Sequence, residues 1–374
     1  MEKIFFKVTI FLLALLLFSA CSEDSENDPG DGNQQEEVPE IETTGVSDIF
    51  MNSASVGAKL ISIGSSSILE RGVCWAKHQI PTIDDFMAKP VAIDASGKFS
   101  IQIKELEQAA TYYVRAFASN SAGTGYGNEI DFTTATPTVF LDSTSFDNSD
   151  SFKEHWKMLY PWGEDHNGTA RMYEDKVSLE GNGVLLIEAE RIYPHWEGYS
   201  TADPYLRIKY HSGAIHYNGL ITVNDEYPYW IVSGDFKAPV ASGAWPAFWI
   251  TGANTWPPEV DILEFKGSIT NWQNTVTGPA WNQTVWTTDK TDIPDADKEW
   301  HNYRMTMEKI SDTDVQVKLF VDGELKGSYT KDFVNDPFHL IINLQMEGAS
   351  GEPGPENAEY RARNIYLAAI AADI

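Results

Sequence analysis

Apolar positions follow two rhythms along this chain. From Val8 to Phe18 they run unbroken apart from Thr9, with Lys3 and Lys7 ahead and Ser19, Ala20 and Cys21 behind. A basic start, a short apolar stretch and small residues at its end predict an export signal over residues 1–20. The stretch is short for the roughly 20 residues a spanning helix needs. Past residue 44 the rhythm becomes alternation with period two, the mark of half-buried strands. Ser53–Leu60 and Phe99–Ile103 alternate, Ala110–Ala118 is β-branched and aromatic, and Ser121–Gly127 is a turn cluster. Strands at this spacing with no helical stretch predict a small β-sandwich over residues 44–136.

From residue 137 to 374 the alternation resumes on longer segments. Val184–Ala189, Tyr229–Phe236, Val315–Val321 and Phe338–Leu344 read as strands, and Asp322-Gly323 is a hairpin turn signal. The predicted fold is all-β, the small sandwich being followed by two large antiparallel sheets packed face to face. One face of a bent sandwich that size is concave, and a polymer can lie in it.

Charge narrows the function. The chain has 27 Lys+Arg against 55 Asp+Glu, net −28, and a field of that sign excludes general nucleic-acid binding. Residues 21–43 are acidic, lack any basic residue and hold almost nothing apolar, so they are expected to form a disordered tether. Two cysteines exclude a disulfide scaffold and a Cys-based zinc site. Cys74, the one internal thiol, is expected on a buried strand. The 12 Trp, 16 Tyr and 18 Phe suit the flat faces of sugars.

The candidate chemistry sits on Glu259-Val260-Asp261-Ile262-Leu263-Glu264. Period two puts Glu259 and Asp261 on one face and Glu264 on the other, and one β-bulge restores all three to the same face. Crowded carboxyls cannot all ionise comfortably, so one should keep its proton. A retaining glycosidase needs that pairing of ionised nucleophile and protonated acid. An acidic, solvent-facing edge strand is the competing reading, opposed by Ile262, Leu263 and Phe265, which suit a central strand packed on its other face.

These residues resemble glycoside hydrolase family 16, in its bulged-strand branch with the motif Glu-x-Asp-x-x-Glu. Trp245-Pro-Ala-Phe-Trp249 upstream, Glu299-Trp-His-Asn-Tyr303, Phe320-Val-Asp-Gly323 and Pro337–Leu344 follow in the family's order. The resemblance implies a concanavalin-like β-jelly-roll and a retaining endo-β-glycanase acting on a β-glucan or β-galactan. It implies Glu259 as nucleophile, Asp261 as the group that holds and polarises it, and Glu264 as acid/base. Trp245 and Trp249 would shape sugar subsites or pack between the sheets. Trp256, Trp272, Trp281 and Trp286 would be stacking platforms or loop plugs. Gln345 and Glu347, where the family often has small residues and Gly, would bond a substrate hydroxyl or line a loop. Where many glucan-cleaving members have a His on the strand after the acidic motif, this chain is expected to place Trp281. No redox cofactor is implied. Members often hold a structural calcium with an Asp on the last strand; Asn364 stands there, so no metal ligand is assigned.

Glu70–Ala76 and Thr111–Thr134 resemble immunoglobulin-like modules of the fibronectin type III kind, which implies an accessory spacer or binding module. Phe18-Ser-Ala-Cys21 resembles a bacterial lipobox, which implies Cys21 as the lipidated N-terminus of an outer-membrane lipoprotein at the cell surface. That anchor would be its sole membrane contact, and the protein is expected to be a monomer with a polysaccharide substrate. A non-catalytic surface glycan-binding lipoprotein, or an adhesive scaffold, is the alternative, and the acidic cluster argues against both.

Overall fold

The computed structural model describes residues 36–90, 94–193 and 197–372. The export signal, Cys21 and the tether up to residue 35 lie outside the described residues. Among the described residues no helix is long and apolar enough to cross a membrane.

The N-terminal part is a sandwich. Glu40–Ser47, Ala54–Ser62 and Lys98–Ile103 form a three-stranded sheet. It faces a five-stranded sheet of Phe86–Ala88, Glu70–Ala76, Thr111–Asn120, Gly123–Tyr126 and Ile130–Thr133. Val56, Val73, Ile101, Val114 and Phe132 fill the space between. Cys74 is a free, buried thiol on the Glu70–Ala76 strand, and burial pushes its pKa up to about 11. One boundary differs from expectation. The first strand begins at Glu40, inside the expected tether. Its charges are all outward, while Ile41 and Thr43 alternate inward. The Thr43 hydroxyl donates to the Asn128 carbonyl at 2.6 Å and accepts the Ala116 N–H at 2.9 Å.

The larger part has two sheets of eight and ten strands around one continuous core. Pro337–Met346, Ala244–Gly252, Glu259–Glu264, Thr270–Thr277 and Val285–Asp292 lie side by side in that order in the eight-stranded sheet. The ten-stranded sheet centres on Asn357–Ile370 and Tyr229–Lys237. Asp322-Gly323 makes a two-residue hairpin with φ of 50° and 81°, the primed geometry that matches strand twist. The inner face is apolar, with Phe248, Ile250, Val260, Leu263, Ile342 and Leu344 fully buried. The opposite face of the same strands carries the polar cluster described next.

Candidate active site

A bulge builds the site. Along the Ala244–Gly252 strand, Thr251 faces Glu259, Ile250 faces Val260 and Trp249 faces Asp261, but Phe248 faces Leu263 and Ala247 faces Glu264. Ile262 is the extra residue. It sends its side chain into the core with Val260 and Leu263 and returns Glu264 to the face of Glu259 and Asp261. The interruption leaves backbone groups without ladder partners, and the next strand supplies side chains for them. Gln273 Nε2 donates to the Ile262 carbonyl at 2.8 Å, and the Glu264 N–H donates to Asn271 Oδ1 at 3.0 Å.

All three carboxyls line one cleft of about 780 Å³. Asp261 is 4% and Glu264 6% exposed. Asn274 bridges these two, its Nδ2 donating to Asp261 Oδ2 at 2.7 Å and Glu264 Oε2 at 2.9 Å. Thr288 Oγ1 donates to Asn274 Oδ1 at 2.7 Å, which fixes the amide's orientation. Glu264 also takes the Trp245 indole N–H at 2.7 Å and lies 2.9 Å from Lys266 Nζ. Glu259 takes the Trp256 indole N–H at 2.8 Å. Burial pushes the Glu259 carboxyl up to about 8, with Glu264 adding to the rise and the Trp256 N–H opposing it. Burial, then the charges of Glu264 and Glu259, push Asp261 well above its ordinary value. The cluster therefore titrates as a unit and keeps a proton at neutral pH. Such a set can attack a carbon from one side and supply a proton on the other.

The aromatic residues divide by exposure. Trp245 and Trp249 are almost buried in the floor on either side of Ala247. Trp249 donates its N–H to Asn343 Oδ1 at 2.7 Å and stacks on His166 at 5.7 Å. Desolvation holds the His166 imidazole down at about 4, so it is neutral. Trp256, Trp286 and Trp281 stand half-exposed to exposed along one rim, Trp281 at 74%. Trp162, Asp203 and Tyr205 line the cleft as well. Trp272 does not line it; its ring carries Lys290 Nζ at 3.6 Å. Trp281 lies past the end of the Thr270–Thr277 strand, and Asn274 is the residue of that strand that meets the carboxyls.

Gln345 and Glu347 part company. Gln345 lines the cleft, but its amide is occupied by backbone: Oε1 accepts from Ala170 N at 2.8 Å and Met346 N at 2.9 Å, and Nε2 donates to the Ala170 carbonyl at 3.2 Å. Gly168 permits this approach, since a Cβ there would meet Gln345 at 2.4 Å. Glu347 does not reach the cleft. At 1% exposure it lies 2.9 Å from Arg191 and 2.6 Å from Lys209, and it also accepts the Gly354 N–H at 3.1 Å. Asn364 donates to Asp235 Oδ2 at 2.7 Å. Among the described residues no three His, Cys, Asp or Glu side chains are grouped to hold a metal ion.

The sequence reading missed Asn274, Asn343, His166 and Lys266. One signal was available for the first. Asparagine is depleted in strands, yet Asn271 and Asn274 sit on one strand.

The family model for glycosyl hydrolases family 16 matches residues 172–356. The galactan endo-beta-1,3-galactanase of Flammulina velutipes is 41% identical over 220 residues, 58% of this chain and 86% of that protein. The endo-1,3-1,4-beta-glycanase EglC of Rhizobium meliloti is 26% identical over 63% of this chain and 52% of its own length. Among solved structures, an endo-beta-1,3-glucanase from Pyrococcus furiosus aligns with a TM-score of 0.48 at 21% identity, over 64% of this chain and 97% of its own. With a relative at 41% identity across most of that relative's length, and the family model matched through the acidic strand, the chain belongs to glycosyl hydrolases family 16.

Proposed function

We propose that the protein is a retaining endo-β-galactanase that cuts internal β-1,3 bonds of a galactan. The observation that carries the reading is the bulge at Ile262, which sets Glu259, Asp261 and Glu264 on one cleft face with Asn274 joining two of them. The choice of galactan follows the 41% identity to a galactan endo-β-1,3-galactanase. The open, rimmed cleft suits a chain that enters along its side.

In the first step a Glu259 oxygen attacks the anomeric carbon. The bond to the bridging oxygen breaks, and that oxygen takes a proton from Glu264. In the second step Glu264 removes a proton from water, the water oxygen attacks the anomeric carbon, and the ester to Glu259 breaks. Asp261 keeps the shared proton beside Glu259, while the Trp256 N–H favours the ionised nucleophile. Trp245, Ala247 and Trp249 form the floor, and the half-exposed rings of Trp256, Trp281 and Trp286 offer faces to successive sugars.

The same reading makes the protein a lipoprotein anchored by Cys21, carried past the outer membrane by the acidic segment. The N-terminal sandwich then acts as a fibronectin-like spacer between anchor and enzyme.

The test is incubation of the protein with β-1,3-galactan, laminarin, mixed-linkage glucan and agarose, measuring new reducing ends and product size. Short oligosaccharides from galactan, absent with Glu259→Gln, are expected, and the first-formed products should retain the β-configuration by NMR. Binding of a polymer without any new ends would instead make this a capture protein.

A further inference from the structure

The cleft face continues past the carboxyls. In the pairing of Thr270–Thr277 with Val285–Asp292, Trp272 is opposite Lys290, Asn274 opposite Thr288 and Val276 opposite Trp286. Period two sets Trp272 and Asn274 on one face, with Trp286, Thr288 and Lys290 across from them. Asn274 reaches the carboxyls and Trp286 lines the cleft, so this is the cleft face.

On it Lys266 and Lys290 flank one ring, with their Nζ atoms 5.1 and 3.6 Å from the centre of Trp272. Lys266 reaches back to Glu264. Lys290 is exposed and forms no ion pair among the described residues, in a chain with twice as many acids as bases. Asp292, on the same face, is bonded to Thr270 Oγ1 at 2.7 Å. Two ammonium groups over an aromatic ring, one of them without a carboxylate, make a cationic patch on the same sheet face beyond the lining of the acidic cleft. The ring is covered by the lysines, so it holds the ammonium groups by cation–π attraction, and an exposed ammonium is a point charge for a single anionic group.

We infer that Lys290, held over Trp272 beside Lys266, is the contact for a sugar bearing an anionic substituent, a carboxylate or a sulfate ester, where a bound chain leaves the cleft. The placement beside Glu264 assigns it to the leaving-group side, which rests on the acid/base role proposed above. The enzyme would then cut next to charged branches or residues in preference to bare chain.

The experiment compares neutral β-1,3-galacto-oligosaccharide with the same chain carrying one uronic acid and with one carrying one sulfate ester. For each, kcat/KM is measured with the wild-type protein, Lys290→Gln and Lys290→Arg. One partly exposed ammonium–anion contact contributes about 1 kcal/mol, so the charged-to-neutral ratio should fall about fivefold in Lys290→Gln and hold in Lys290→Arg. A fall in one charged arm alone identifies the anion. A wild-type protein that favours the neutral chain, or a ratio untouched by Lys290→Gln, overturns the subsite. Affinities of the same oligosaccharides for Glu259→Gln, with and without Lys290→Gln, read the subsite independently of turnover. A binding ratio that falls while no oligosaccharide is cut would sink the enzyme reading and leave the subsite standing.

Discussion

Neutralising Glu259 should stabilise the protein while silencing it. In the fold its carboxyl is held up to about 8 against an ordinary 4.5, first by burial and then by Glu264. An unfolded chain ionises this group at neutral pH, and the folded cleft resists doing so. Over the span from 4.5 to pH 7, at about 1.4 kcal/mol per unit, the fold gives up at most about 3 kcal/mol to this one group. Water reaching the partly open cleft reduces that to about 1–3 kcal/mol. Gln at 259 removes the cost and keeps an oxygen to accept the Trp256 N–H. In a domain of this size 1 kcal/mol moves Tm by about 2–4 °C, so Glu259→Gln should melt about 3–10 °C higher than wild type near pH 7.5. The direction with pH follows from the raised value. Below about pH 4.5 both states hold the proton and the two proteins should melt together, and the gap should open as pH rises toward 8. Melting curves by circular dichroism at four pH values between about 4 and 8 suffice, since carboxylates outside the cluster cancel in the difference. Turnover in the same samples should fall by at least about 10³-fold. A gap that does not change with pH, or a variant less stable than wild type at neutral pH, would refute the argument that burial and crowding hold the cluster's protons.

Three further outcomes follow from individual contacts. Trp256→Phe removes the donor that favours ionised Glu259, so the acid limb of the kcat/KM profile should move to higher pH; an unmoved limb would remove Trp256 from the machinery. Gln273→Leu leaves the buried Ile262 carbonyl without its donor and should cost about 1–3 kcal/mol in urea unfolding, with activity falling as the bulge relaxes; full activity per folded molecule would mean the backbone alone maintains the bulge. Glu347→Gln leaves Lys209 and Arg191 around a neutral amide and should cost about 3 kcal/mol at neutral pH. Lys209, Gly354 and Arg191 hold the Glu347 carboxyl below its ordinary value against the effect of burial, so the loss should shrink as acid titrates Glu347 in the wild type, and an equal loss at low pH would contradict the ion-pair reading.

What the sequence disclosed depended on whether a feature was local. The acidic strand was legible because period-two arithmetic over six residues demands one extra residue, and Ile262 is that residue. Asn274 was not, because its meeting with Asp261 depends on the register of a neighbouring strand, and register is set by turns and partners rather than by the strand's own letters. The expectation of Trp281 at that place failed for the same reason. Glu347 shows how alternation can mislead at a strand's end. It is two residues past cleft-lining Gln345, so parity puts it in the cleft. The Pro337–Met346 strand stops one residue earlier, and Glu347 takes φ of 52°. That turn sends its side chain to Arg191 and Lys209 instead of the cleft. At Glu40–Thr43 the error ran the other way. Counting acids made the segment look like tether, although Ile41 and Thr43 already alternate with glutamates. A strand needs only its inward positions to be compatible with a core, so net charge over a window says little when all of it can face water. Lys266 combines both limits. Its place two residues after Glu264 was visible, but its grip on that carboxylate depends on how the strand leaves the bulge, and that contact links the acid of the proposed reaction to the cationic patch beyond the cleft.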